Sequence, residues 1–140
     1  KTISFLEEVN SVLKNTPFEL AYRALNELLL HVEAFSPDSD EKLQAVWDDF
    51  VMTKVLPRID GDDDKLRIAT DDVSDNLLVH LKSILAEKMP EIWAEDKRRE
   101  DLLRTDAVNT QITDISCRSK QKIEWMLARL EANTFTSYWP

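Results

Sequence analysis

Glycine is almost absent from this sequence, in which Gly61 is the single example among 140 residues. Phosphate-binding loops and dinucleotide-binding folds need several glycines, because their backbone adopts positive φ angles or approaches the ligand closely. Tight β-hairpin turns also favour glycine. We therefore expect a mainly helical chain that cannot bind a nucleotide through a glycine-rich loop of its own.

Cysteine and long apolar runs are scarce as well. Cys117 is the only cysteine, so no internal disulfide can form, and a reducing compartment, the cytoplasm, is the expected location. No apolar run approaches the ~18 residues that cross a membrane, and no signal-peptide pattern is visible, so we expect no membrane partner. The sequence begins at Lys1 and enters amphipathic pattern at once, which we interpret as part of a longer protein.

Positive charge is also in short supply. The net charge is −9 and the isoelectric point about 4.7, so the chain lacks the basic field that binding to a nucleic-acid backbone usually requires. One local basic run contains Lys97, Arg98, Arg99 and Arg104. The simplest interpretation of this run is a solvated helix face. We predict no direct nucleic-acid binding.

Apolar residues make up 43% of the chain and recur at helical spacing in its first part. A Ser4–Glu7 capping box predicts a helix at 4–14. Thr16 followed by proline predicts a second helix at 17–35. A third stripe predicts a helix at 38–55, which ends where Leu56 precedes a proline. The predicted fold class is all-α, a small helical bundle.

The second part begins with an acidic stretch at 58–76, which we interpret as a loop. A helix is predicted from Leu77 to about Met89, then a polar helix from Pro90 through Arg104, extended chain at 105–115, and a last helix at 117–132. The tail carries Phe135 and Trp139, which we expect to fold back onto the helical body. The resulting division is 1–60, a helical subdomain, 61–76, an acidic linker loop, and 77–140, a C-terminal helical extension with an aromatic tail.

Residues with catalytic or metal-binding potential do not form a recognisable constellation. Cys117 lacks a cysteine–histidine pattern. His31 and His80 fall on different predicted helices, and protein metal sites usually need three or more donors. The acidic run Asp60–Asp64 departs from the order of a calcium loop. We therefore predict no catalytic residue, no metal site and no cofactor bound by this part of the protein alone.

Three segments carry a resemblance to a known family. The first is Phe18-Glu19-Leu20-Ala21-Tyr22-Arg23-Ala24-Leu25-Asn26-Glu27. The second runs from Trp47 to Gly61 and includes Lys54-Val55-Leu56-Pro57-Arg58. The third runs from Arg118 to Leu130 and continues into Phe135-Thr136-Ser137-Tyr138-Trp139. In order and spacing they resemble the C-terminal part of McrB-type AAA+ NTPases, the GTPase subunits of modified-cytosine restriction systems, although relatives often have glycine at the position of Ala21.

This resemblance implies a function. The segment 1–60 would be a lid-like subdomain over a nucleotide, GTP or ATP with Mg²⁺, bound by an α/β domain upstream in the parent protein. It implies Arg23 as the sensor-2 arginine that points at the phosphates, a role that suits a permanent planar cation. A homo-oligomer and a nuclease subunit are the implied partners in a DNA defence system.

Two alternatives stay open at this stage. Arg23 could instead be a surface residue that pairs with Glu19 or Glu27, each four positions away. The chain as a whole could be a stand-alone helical protein-interaction domain without a nucleotide role. A phosphate-binding loop upstream in the parent reading frame would decide for the NTPase interpretation.

Overall fold

The computed structural model describes residues 1–68, 75–102 and 114–140. These residues form seven α-helices and four short strands, and the strands pair as two antiparallel ribbons. The helices are α1 Thr2–Leu13, α2 Tyr22–Phe35, α3 Asp40–Phe50, α4 Asp63–Leu66, α5 Leu77–Lys88, α6 Pro90–Trp93 and α7 Arg118–Asn133. The strands are β1 Asp60–Asp62, β2 Arg99–Glu100, β3 Asp114–Ile115 and β4 Phe135–Ser137. The prediction of a mainly helical fold is confirmed.

The helices predicted from regular apolar stripes are present. The stripe at 38–55 forms α3, a π-helical turn Val51–Val55 and a 3₁₀ turn Leu56–Arg58. Its N-cap is Ser39, whose side chain accepts a hydrogen bond from the amide of Lys42. α5 likewise begins at a side-chain cap, Asn76, and α7 matches the predicted last helix. Apolar periodicity therefore located these helices, while the caps Ser39 and Asn76 are seen in the structure.

The predicted starts of the first two helices are wrong. α1 begins at Thr2, and no side chain caps it, so the Ser4–Glu7 box is not used. α2 begins at Tyr22 rather than at residue 17. The Thr16 hydroxyl donates to the Leu13 carbonyl and accepts from the Phe18 amide, which makes the Thr-Pro segment the turn that follows α1. The apolar residues of that turn still enter the core, which is why they extended the helical pattern.

One hydrophobic core joins the two halves of the chain. α1 packs on α5, and α3 packs on α7. The Phe5 and Trp47 rings stack with centres 4.4 Å apart, and the Trp47 indole donates to the Thr2 hydroxyl at 3.2 Å. The buried core includes residues on both sides of the segment 61–76, among them residues of α1 and α5. The division at 60 and 77 stays a prediction.

The acidic stretch is more structured than expected. Asp60–Asp62 forms β1, and the Asp62 carboxylate caps α4 at the amide of Lys65. Residues 69–74, also predicted as acidic loop, lie outside the described part. Gly61 has φ of +144°, a backbone angle that side-chain-bearing residues rarely adopt, and a Cβ there would approach Lys65 Cδ to 2.6 Å. The single glycine therefore lies where the backbone requires it.

The aromatic tail folds back as a strand. β4 pairs antiparallel with β1, with Gly61 opposite Thr136. Thr136 is fully buried, whereas Phe135 is 46% exposed and Trp139 is 62% exposed. The tail returns to the body of the protein through this strand pairing, as predicted, although the rings of Phe135 and Trp139 stay exposed. Strand alternation turns the ring of Phe135 outward because the side chain of Thr136 turns inward.

The predicted polar helix from Pro90 to Arg104 is also wrong. α6 ends at Trp93, and Arg99 lies in β2, which pairs with β3. Residues 103–113, including Arg104 and most of the predicted extended segment, lie outside the described part. None of the helices within 1–68, 75–102 and 114–140 is both long and apolar enough to cross a membrane.

Candidate functional site

Arg23, the predicted nucleotide-binding residue, lies in the first turn of α2. Its side chain is exposed. The helix begins after Ala21, whose backbone is extended, and no side chain caps the helix. The free amides at a helix N-terminus and the aligned peptide dipoles both favour a negative charge nearby. Arg23 adds a permanent positive charge to this end of α2.

The surface ion pairs expected for Arg23 are absent. Within the described part of the chain, Arg23 makes no ion pair with Glu19, Glu27 or any other carboxylate. Glu27 instead faces Lys54, with 3.5 Å between its Oε2 and the lysine Nζ. The guanidinium of Arg23 is therefore available to an external anion.

An apolar groove lies beside this helix start. It has a volume of about 280 Å³ between α1 and the segment that leads into α2. Its lining is mainly apolar, from Ile3, Leu6, Leu20, Ala21, Tyr22 and Leu25, and includes the polar residues Glu7 and Asn10. Asn10 joins its two sides, because its side-chain oxygen accepts from the Leu20 amide at 2.8 Å. A cation, an uncapped helix and an apolar groove thus occur together, an arrangement suited to a ligand with one anionic and one apolar part.

A second cluster of charged residues is buried between α3, β2 and α7. Asp48, Asp49 and Arg99 are its centre, and the Asp48 and Arg99 side chains are fully buried. Arg99 Nη1 lies 2.7 Å from Asp48 Oδ2, and its two terminal nitrogens each donate to Asp49 at 2.8 Å. Arg118 reaches Asp49 and Asp101 from the rim, at 3.0 Å each. The interpretation of Arg99 as part of a solvated helix face is wrong.

Asp48 also caps α7 from another helix. Its two carboxylate oxygens accept from the backbone amides of Arg118 and Ser119, each at 2.8 Å. A carboxylate in this position satisfies free amides of the helix and interacts favourably with its dipole. Two adjacent aspartates inside an otherwise apolar stretch, Val46 to Val51, were the sequence signal for this cluster, and the sequence analysis missed it.

The pKa of Arg99 shows how complete the compensation is. Burial alone would lower the pKa of the guanidinium, but the hydrogen bonds and charges of Asp49 and Asp48 outweigh this effect, and the pKa is raised. Arg99 therefore keeps its positive charge at every physiological pH. Nearly all polar atoms of this buried cluster contact one another. The cluster is therefore a structural network that joins three segments distant in sequence.

Cys117 precedes α7 and belongs to the same cluster. Its thiol donates to Asp48 at 3.3 Å, and burial, together with the charge of Asp48, raises its pKa to about 12. A thiol with that pKa carries almost no thiolate at neutral pH, so Cys117 is a poor nucleophile.

The two histidines lie apart from both clusters. His80 contacts Asp75, with 3.0 Å between Nε2 and Oδ1. His31 is exposed and meets the Phe50 ring edge-on. In the ranges that the structure describes, no three histidine, cysteine or carboxylate side chains are grouped closely enough to hold a metal ion.

Comparison with known proteins places the chain by family rather than by a characterised relative. No curated protein and no solved structure matches it significantly. Residues 1–135 match the family described as "Domain of unknown function (DUF8727)". This match spans both the start of α2 with Arg23 and the buried Asp48–Arg99 cluster. Since it covers nearly the whole sequence, the chain belongs to the DUF8727 family.

Proposed function

We propose that this chain is the C-terminal helical part of a McrB-like AAA+ NTPase motor in a DNA restriction or defence system of the cytoplasm. In this proposal residues 1–60 form the lid over GTP or ATP with Mg²⁺, which an α/β domain upstream holds. The rest contributes contacts within a homo-oligomer or to a nuclease subunit. The observation that carries the proposal is Arg23, which makes no ion pair within the described residues and lies at a helix start without a side-chain cap, beside an apolar groove.

The chemistry assigned to Arg23 follows from its charge and place. During phosphoryl transfer, negative charge spreads over the transferred group and the leaving oxygen. A guanidinium directed at those oxygens would stabilise the transition state more than the ground state, because the phosphates would already be held by the upstream domain. The groove beside Arg23 offers an apolar surface for the uncharged part of the nucleotide.

The contacts among the three family-like segments support the proposal further. Phe18 of the first segment lies under Lys65, with the ammonium 5.2 Å from its ring centre. Lys65 in turn pairs with Asp60, in the second segment, at 2.8 Å. β1 of that segment pairs with β4 of the third. The three segments thus meet in one region of the fold, as parts of one functional unit would.

The test is a comparison of nucleotide affinity and turnover in the complete parent protein, whose reading frame must first be found to encode an upstream phosphate-binding loop. Arg23→Ala should reduce turnover on the order of 10²–10³-fold while changing nucleotide affinity little. Arg23→Lys should rescue only in part, because an ammonium lacks the planar donor pair. Arg98→Ala, which removes another exposed arginine, is the control. Wild-type turnover in Arg23→Ala would remove this residue from the nucleotide site.

The alternative, a stand-alone helical interaction domain, rests on exposed apolar side chains of α1 and α2. Tyr22 is 80% exposed, and Leu30 and Ile3 are also largely exposed. Exposed apolar side chains of this kind occur on protein-binding faces. A parent reading frame without a phosphate-binding loop, or a chain that is complete without an upstream domain, would favour this alternative over the motor.

A further inference from the structure

A surface of aromatic rings and cations lies on α7 and the tail, away from Arg23. It consists of Lys122, Trp125, Arg129, Tyr138 and Trp139, and we call it the cation–aromatic face. Trp125 is 39% exposed and Trp139 is 62% exposed. Solvent therefore reaches both indole rings, although burying such a ring would be favourable by about 1.5–3 kcal/mol.

The two cations converge on these rings. The Lys122 ammonium lies 4.2 Å from the centre of the Trp125 ring and 4.3 Å from that of Tyr138. The Arg129 guanidinium lies 5.2 Å from Trp125, on which both cations therefore act. Tyr138 and Trp139 meet edge-on, with centres 4.8 Å apart. The rings fix the positions of both charges through cation–π attraction.

No carboxylate balances this pair. In the part of the chain that the structure describes, neither Lys122 nor Arg129 forms an ion pair with an acidic side chain. Arg129 donates only through Nη1, to the Trp139 carbonyl at 2.6 Å and the Ser137 hydroxyl at 3.4 Å, so its other nitrogens remain open. Burial, and secondarily the charge of Arg129, lower the pKa of the Lys122 amine. In a chain of net charge −9, two uncompensated neighbouring cations are unusual.

We propose that the cation–aromatic face binds a short acidic segment of a partner protein, with a carboxylate between Lys122 and Arg129 and an apolar side chain on Trp125 and Trp139. Exposed tryptophan, tyrosine and arginine are the residues that most often dominate protein–protein binding. A bound carboxylate would relieve the repulsion between the two cations. This inference is independent of the proposed nucleotide role, since it uses different residues.

The surroundings favour a peptide carboxylate over a nucleic-acid strand. β1, which carries Asp60 and Asp62, pairs directly with the tail strand. Lys65 compensates Asp60, at 2.8 Å, while Asp62 caps α4. A strand with a phosphate at every nucleotide would have to pass these carboxylates within a strongly acidic molecule. A segment with one or two carboxylates would not.

The test uses a blocked peptide, Gly-Glu-Phe-Glu-Leu-Gly, and its counterpart with glutamine at both glutamate positions. Binding to the complete chain is followed at low salt through the indole nuclear magnetic resonance signals of Trp125 and Trp139. The glutamate peptide should shift both signals, and the glutamine peptide should bind about tenfold more weakly, the equivalent of about 1.4 kcal/mol. Bound glutamate peptide should also raise the pKa of the Lys122 amine, measured by pH titration with and without the peptide.

Variants separate charge from packing. Lys122→Gln should weaken binding of the glutamate peptide about tenfold, while Lys14→Gln, the same change at an exposed lysine on another surface, should leave it unchanged. Trp125→Leu should weaken it as well, and Lys122→Gln keeps the test decisive if that variant fails to fold. Equal binding of both peptides, no indole shift at millimolar peptide, or tighter binding of an oligothymidylate than of the peptide would each overturn the proposal.

Discussion

Two helix starts in this molecule are treated in opposite ways. α7 begins inside the protein, where the Asp48 carboxylate accepts both of its first amides and Arg99 neutralises that carboxylate. α2 begins at the surface without a side-chain cap, next to the exposed Arg23. At the first, every charge has a partner within the chain. At the second, the side chain of Arg23 makes no ion pair within the described residues, and no side chain caps the helix.

The charges at the start of α7 hold the fold together, whereas the charge of Arg23 at the start of α2 is available to a ligand. A buried network of ion pairs is costly to break, because the remaining partner stays buried and uncompensated. An exposed arginine contributes little to stability by itself. Substitutions at α7 should therefore change folding, and substitutions at α2 should change function, which makes the comparison testable.

The largest expected effect is that of Arg99→Ala. It removes the cation that compensates Asp48 and Asp49, and we expect a loss of about 3–5 kcal/mol in the free energy of unfolding. The measurement is urea denaturation followed by far-ultraviolet circular dichroism. Arg98→Ala, at the exposed neighbouring position, should change the same quantity by less than about 0.5 kcal/mol. Equal effects of the two variants would contradict the closed network at α7.

Alkaline pH should weaken the same helix start through Cys117. The pKa of its thiol is about 12 in the folded protein against an ordinary value of 9.0, so the unfolded chain releases this proton first as the pH rises. Its contribution to stability is complete below pH 9 and declines toward pH 12, by about 2 kcal/mol at pH ~10.5. Cys117→Ala should show a shallower decline than the wild type in the same pH series. Parallel curves would mean that burial and the charge of Asp48 do not raise the pKa of the Cys117 thiol as described.

Adding a side-chain cap to the start of α2 should stabilise the folded protein. Ala21 has the extended backbone of an N-cap residue, so Ala21→Asp should cap α2 and raise the free energy of unfolding by about 1 kcal/mol. Ala34→Asp, the same substitution near the other end of α2, should give no gain because the helix dipole is reversed there. In the parent protein, Ala21→Asp should also slow nucleotide turnover, since its carboxylate would occupy the place of a phosphate. Stabilisation without any loss of turnover would contradict a ligand role for this end of α2.

The smallest expected effect is that of Arg23→Ala on stability. The side chain makes no ion pair in the described part of the chain, so the free energy of unfolding should change by less than about 0.5 kcal/mol. Thermal and urea unfolding of the isolated chain measure it directly. A loss well above that value would show a structural contact of Arg23 and would weaken its assignment to a nucleotide.

The sequence predicted α3, α5 and α7 from their apolar stripes. It misplaced the start of α2 because Phe18 and Leu20 are buried and therefore continue the apolar pattern through a turn. Apolar periodicity reports burial, and burial in a turn looks the same as burial in a helix. The sequence prediction also extended a helix through Arg99, which lies in β2.

The two sites also differ in whether the sequence alone could indicate them. Arg23 is proposed from the resemblance of the segment 18–27 to a known family, and the structure adds that Glu27 faces Lys54 instead of Arg23. The role of Arg99 depends on Asp48 and Asp49, about fifty positions away, and no local pattern contains that pairing. A charge run in a sequence is solvated by default, so a buried member is missed unless an apolar segment elsewhere carries unexplained carboxylates.

The pairing of β1 with β4 has a consequence for the order of folding. α5 and α7 lie between Gly61 and Thr136 along the chain, so the pairing of β1 with β4 closes a long loop. Contacts that close such long loops cost the most chain entropy and tend to form late. We therefore expect changes in this ribbon, such as Gly61→Ala, to act mainly by accelerating unfolding while the refolding rate stays nearly constant. The only glycine of the chain would then set how long the native state persists rather than how fast it is reached.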